Sequence, residues 1–290
     1  MQKLQNKNNN LLISILLILP AFSIYLILLL YPTGQSVYLS FFKWNGIPQV
    51  PMKYIGLNNF VNVFKNPYFW VAMRNSIYFM IGGFGVLMPI AFGLALIITG
   101  KYKYKNFFRT IFFMPVILPI TVTGLIWSYV LEPNWGLVNS LFNLNINWLG
   151  QPNLNIWVVV LVNEWIYAGF NMLIFASGIV AIDETLYEAA TIDGASGRDK
   201  LFYITLPLCK ESFKIFSVLC VTGCLKHFDL VYVMTRGGPN HVSEMPATLL
   251  YSEAFQYRNF GNASAISVII LVLSLIASII LNRYLNQEDL

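Results

Sequence analysis

Asp183-Glu184-Thr185-Leu186-Tyr187-Glu188-Ala189-Ala190-Thr191-Ile192-Asp193-Gly194-Ala195-Ser196-Gly197-Arg198-Asp199-Lys200 is the most charged stretch of an otherwise apolar chain. Its local signals spell helix, turn, helix. Asp183 suits an N-cap, and Glu184 falls in the first turn, where the helix macrodipole favours negative charge. Asp193-Gly194 is a stop signal, because glycine accepts the left-handed conformation that ends helices. Ser196, with Asp199 three residues on, suits the start of a second helix. Leu206-Pro207 closes the segment. Five acidic residues stand against Arg198 and Lys200 between Asp183 and Leu201, which argues against a helix resting on anionic lipid.

The rest of the chain sets this loop in a membrane. Of 290 residues, 57% are hydrophobic and 11% are charged, less than half of the roughly 25% that a soluble surface uses. The formal net charge is +5. The Lys and Arg residues lie beside apolar segments and form no basic face or stripe, so nucleic-acid binding is excluded. Cys209, Cys220 and Cys224 lie on or beside one apolar segment, an odd set with no disulfide or metal pattern. Lys3 and Lys7 precede an apolar run from Leu11 to Tyr31. That run exceeds the roughly 7–15 residues of a secretory signal core and matches the bilayer thickness, so it reads as a retained first span.

Six spans follow from this pattern, at about residues 11–31, 76–99, 107–131, 156–181, 212–234 and 263–281. Each must be helical, because lipid offers the backbone no hydrogen-bond partner. Pro89, Pro115 and Pro119 fall inside the second and third spans and predict kinks there. The expectation is an all-α integral membrane protein with one transmembrane domain over residues 1–290. Eleven basic residues lie on the side of the termini: Lys3, Lys7, Lys101, Lys103, Lys105, Arg109, Arg198, Lys200, Lys210, Lys214 and Arg283. Six lie opposite, at Lys43, Lys53, Lys65, Arg74, Arg236 and Arg258. The positive-inside rule then places both termini and the 183–207 loop in the cytoplasm.

At the loop a specific resemblance emerges. Glu188-Ala189-Ala190, Gly194 and Ile204-Thr205-Leu206-Pro207 stand at the spacings of the EAA loop, seven specified positions across twenty residues. The chain resembles the binding-protein-dependent permeases of ATP-binding-cassette importers, with the type I six-helix fold. Weaker pieces extend the likeness along the chain. They include Gly56-Leu57-Asn58-Asn59-Phe60, Phe113-Met114-Pro115, Thr235-Arg236-Gly237-Gly238-Pro239 and Gly261-Asn262-Ala263-Ser264-Ala265. They are similar to the carbohydrate-uptake group, of maltose, glycerol-phosphate and multiple-sugar type. Members often carry Gly where Arg236 stands and Thr where Ser243 stands.

The resemblance implies a coupling helix seated on an ATPase subunit, with Glu188, Ala189, Ala190, Asp193, Gly194, Leu206 and Pro207 as the coupling residues. It further implies a second, homologous permease subunit, two cytoplasmic ATPase subunits and an extracellular or periplasmic sugar-binding protein, in a bacterial cell membrane. No cofactor is expected on this chain; ATP and Mg belong to the partner ATPase. The residues agree that this chain is no ATPase, since Gly194 to Lys200 lacks the order of a phosphate-binding loop. Nothing resembles a paired-carboxylate or Ser–His–Asp site, and His227 and His241 have no ligand-spaced companions.

Polar side chains inside spans are expensive in lipid and are therefore functional candidates. Asn163, Tyr167 and Asn171 share one face of span four, with Glu164 beside it, and span five carries Lys226, His227 and Asp229. These groups suit a cargo pathway for a sugar, probed by amide and carboxyl hydrogen bonds. A plainer reading stands beside this: Lys226 and Asp229 neutralise each other at i, i+3, and Asn163 bonds a neighbouring helix. A permease for another polar solute such as glycerol phosphate, or an ion-driven secondary transporter, remains the alternative.

Overall fold

The computed structural model describes residues 16–100 and 103–286. Lys3, Lys7, Asn6–Asn10, the opening of the first span at Leu11 and Lys101 lie outside the described residues. Among the described residues, four helices are long and apolar enough to cross a membrane: α1 (Leu16–Leu39), α3 (Pro67–Thr99), α7 (Asn155–Val180) and α13 (Phe260–Arg283, running on to Asn286). The third expected span is a pair, α4 (Lys105–Ile117) and α5 (Ile120–Val130), bent by 96°. The bend falls at Leu118-Pro119, where Pro119 has no N–H to continue the ladder.

The stretch expected as the fifth span is two helices, α10 (Lys210–Cys224) and α11 (Asp229–Met234), parted at residues 225–228. Fifteen residues reach about 22 Å, short of the hydrocarbon core, so α10 alone does not match a spanning helix. The other α-helices of four or more residues among those described are short: α2 (Asn58–Lys65), α6 (Leu137–Phe142), α8 (Glu184–Ile192), α9 (Gly197–Lys200) and α12 (Pro246–Tyr251).

The second span begins earlier than its hydropathy suggests. Asn66 caps α3 by accepting the Tyr68 N–H at 3.0 Å, and Pro67 occupies the first helical position, where a missing N–H costs nothing. A π-helical turn at Gly83–Leu87 precedes Pro89 and absorbs the interrupted ladder.

The described chain forms two compact units. One comprises the residues up to Lys65 with Ser252–Ile269; the other comprises Asn66–Tyr251 with the residues from Ile270 on. In the first unit, a two-residue hairpin pairs β1 (Phe42–Lys43) with β2 (Lys53–Tyr54). Asn59, buried on α2, donates to the carbonyls of Ser40 and Phe42 at 2.8 and 2.9 Å. Gly261 packs on the same carbonyl of Phe42, with no room for a side chain. The weak motifs around Asn59 and Gly261 are thus one packing device.

In the second unit α7 is the central post. Val159, Val160, Ile166, Phe79, Leu230 and Val231 form one apolar cluster around it. Leu87, Ala91, Ala95, Met172, Phe175 and Phe216 form another. Gly169 of α7 lies against the backbone of Phe112, the close approach that small residues permit between membrane helices. Buried Asn155 and Asn75 tie down the loop after α11: Asn155 donates to Gly238, and Asn75 donates to both Val242 and Glu244, each at 2.8 Å.

Candidate functional site

The acidic loop folds as its residues dictate. The Asp183 carboxylate accepts the Thr185 N–H at 3.0 Å and starts α8. At its end Gly194 takes φ +79°, the Ala195 N–H reaches the Ala190 carbonyl at 2.9 Å, and the Gly194 N–H reaches that of Thr191. This is the Schellman arrangement, and it needs a residue without a Cβ at position 194. Ser196 and Asp199 then form a reciprocal capping box at the start of α9. Both acids are held below the ordinary aspartate range, Asp183 chiefly by the Thr185 backbone N–H and Asp199 chiefly by the Ser196 side chain.

Two contacts that the sequence did not reveal lock the helices together. Tyr187 and Thr205 share a hydroxyl hydrogen bond at 3.0 Å, and the Lys200 ammonium donates to Thr191 at 2.7 Å. Polar pairs 18 and 9 residues apart carry no periodic signature, so only the fold reveals them. Glu188 and Ala189 are exposed, Ala190 is half-buried, Asp193 caps the C-terminus, Leu206 is half-buried and Pro207 is exposed. No residue of α8 is buried, although Leu186 and Ile192 are apolar; Ile192 is 87% exposed. A short helix with rigid ends therefore presents small, acidic and apolar side chains outward.

The second feature is a cavity of about 240 Å³ between α3, α7 and α10. Asn163, Glu164, Tyr167 and Asn171 all contribute to its wall, as their shared face implies. Its other walls include His227, one of the polar residues noted in span five, and Phe79, Phe216 and Cys220, which nothing in the sequence pattern separates from packing residues. The Asn171 amide donates to the Tyr167 carbonyl at 3.0 Å, so part of its capacity is spent on its own helix. Asn163 Oδ1 and Glu164 Oε2 are buried and without a hydrogen-bond partner. Lys226 and Asp229 are not brought to this wall. Both are exposed at the break between α10 and α11, where the chain leaves the helical path, and no ion pair joins them among the described residues.

Comparison with known proteins agrees with this architecture. The family model described as "Binding-protein-dependent transport system inner membrane component" matches residues 97–288. The probable ABC transporter permease protein YurN of Bacillus subtilis (strain 168) is 33% identical over 288 residues, 96% of this chain and 97% of its own length. The trehalose/maltose transport system permease protein MalF of Thermococcus litoralis is 30% identical over 273 residues, 91% of this chain and 90% of its own length. A solved structure of a bacterial ABC transporter involved in the import of the acidic polysaccharide alginate matches with a TM-score of 0.85 at 23% identity, covering 100% of both chains. The last of these similarities speaks for the fold alone. With a family match over most of its length and permeases among its relatives, the chain belongs to the binding-protein-dependent transport system inner membrane components, the multi-pass permeases of ATP-binding-cassette importers.

Proposed function

We propose that this permease carries a carbohydrate into a bacterial cell by alternating access. A binding protein delivers the sugar outside, a second homologous permease completes the path, and two ATPase subunits supply the energy on the cytoplasmic side. Glu188, Ala189, Ala190, Asp193, Gly194, Leu206 and Pro207 form the ATPase contact. Asn163, Glu164, Tyr167 and Asn171 belong to the cargo path. ATP and Mg are held by the ATPase partner, and both termini of this chain face the cytoplasm.

One observation carries the reading: α8 is capped at both ends, joined to the chain after it by Tyr187–Thr205, and has no buried residue of its own. A rigid short helix with an open face fits a surface on another polypeptide, and its rigidity lets a push at one end move the helices after it. The printed roles of relatives support a sugar as cargo, with MalF of Thermococcus litoralis a trehalose/maltose permease. An ion-gradient transporter is set aside, because the family works with a binding protein. The glycerol-phosphate alternative is weakened by the absence of any Lys or Arg from the cavity wall among the described residues.

The test is ATP-dependent sugar uptake by the complete importer in proteoliposomes. Glu188→Ala combined with Gly194→Val abolishes uptake while membrane insertion of the permease is unchanged. Uptake at the wild-type rate in that variant would refute the coupling role.

A further inference from the structure

The cavity wall carries a polar group whose chemistry selects among sugars. The Glu164 side chain is 4% exposed and its Oε2 has no hydrogen-bond partner. Beside it Asn163 is 5% exposed, with Oδ1 equally unpaired. Glu164 also reaches a second cavity of about 540 Å³, whose other walls include Val86, Leu94, Met114 and Trp165. A buried polar group without a partner is costly, and more so inside a membrane. Such a cost is retained where a ligand relieves it.

The electrical character of the surroundings narrows the ligand. Among the described residues, neither cavity has a lysine or arginine in its wall. His227 is the basic side chain present, and its ring packs on Phe79 with centroids 4.6 Å apart. Phe216, Leu219, Cys220, Gly223 and Cys224 present one side of α10 to the same space, so that wall offers no positive charge. An anionic cargo would lose its hydration opposite a carboxyl group, with no lysine or arginine in the wall to offset that loss.

We propose that Glu164 is a specificity-determining residue, which binds hydroxyl groups of an uncharged saccharide or polyol and excludes cargo bearing carboxylate, phosphate or sulfonate. As a carboxylate it accepts two or more hydroxyl hydrogen bonds; as a carboxylic acid it donates one and accepts others. Either form suits hydroxyls, whereas the carboxylate repels an anion and the acid offers it a single donor in place of a fixed positive charge. Asn163 Oδ1 adds an acceptor on the same side. The proposal rests on the carbohydrate reading above and specifies its substrate class.

The test uses the complete importer, with its own ATPase and binding protein, in proteoliposomes. Maltotriose, raffinose, glucosamine trimer and trigalacturonate are offered together, and the ATP-dependent accumulation of each is measured by mass spectrometry. Wild type accumulates a neutral sugar. Glu164→Gln retains that uptake within about threefold, since the amide replaces the hydrogen bonds. Glu164→Leu lowers it about tenfold or more, by loss of hydrogen bonds to the cargo, with ATPase association unchanged. Accumulation of trigalacturonate or preferential accumulation of glucosamine trimer by wild type would overturn the proposal, as would wild-type uptake by Glu164→Leu. Absence of ATP-dependent accumulation of all four sugars would remove the carbohydrate reading and this proposal with it.

Discussion

At the scale of single residues, the acidic loop is governed by three positions. Gly194 stands at φ +79° with open space around it, so crowding plays no part and the backbone conformation alone demands glycine. Gly194→Ala should cost about 1 kcal/mol of local stability, the usual penalty for a side chain in the left-handed region. Hydrogen exchange of the Ala195 amide, which closes the Schellman turn, should then accelerate severalfold. Asp183 and Asp199 add a pH signature. Their folded pKa values lie below the unfolded ones, so their capping contribution is complete above the ordinary aspartate range. It is lost as pH falls through the depressed folded values. Protection of the Thr185 and Ser196 amides, which donate to these carboxylates, should, once corrected for intrinsic exchange, stay level from neutral pH down to the ordinary aspartate range and fall from there through the depressed values. All three positions were legible in the sequence, because caps and left-handed turns are local chemistry. Tyr187–Thr205 was not, because it depends on how the chain returns after α9.

Elements show where sequence reading meets its physical limit. Pro119 announced a kink, but only the fold gives a 96° bend between α4 and α5. The break at residues 225–228 had no proline to mark it, and Lys226, His227 and Asp229 read equally well as polar residues within one span. Conversely, Asn66-Pro67 carried a clear start signal for α3 that the hydropathy window passed over. The face shared by Asn163, Tyr167 and Asn171 was legible from helical spacing. The fate of Lys226 and Asp229 was not, since it depends on the break. The loop after α11 is held by side-chain amides in addition to its own backbone turns. Asn75→Ala takes the donor from the Val242 and Glu244 carbonyls and should cost about 1–3 kcal/mol, whereas Asn155→Ala should cost less, because the Gly238 carbonyl keeps the Ser243 hydroxyl. A lower melting temperature of the detergent-solubilised permease, with Asn75→Ala the larger effect because it loses two bonds, checks this.

The whole molecule joins two features with different evidence behind them: an outward-facing coupling helix and a cavity with unpaired polar atoms. Composition and hydropathy gave the membrane class, since 11% charge leaves no soluble surface. The cargo lay beyond sequence reach, because the cavity draws on α3, α7 and α10, whose register is set by packing. Basic residues should hold the topology. Replacing Lys103, Lys105 and Arg109 by Gln should reduce correct insertion of the helices around them, read by reporter fusions at the C-terminus and at Leu141.

The central claim is that α8 is the face on which an ATPase acts. The direct measurement is thiol cross-linking in the purified importer with a single introduced cysteine, Ala189→Cys, an exposed position on that helix. Cys209 and Cys224 are buried and Cys220 is half-buried, so variants lacking all three provide the background. The account predicts a cross-link between residue 189 and the ATPase subunit, and none from Leu141→Cys outside the α8 loop. An ATPase cross-link from position 141 and none from position 189 would contradict it.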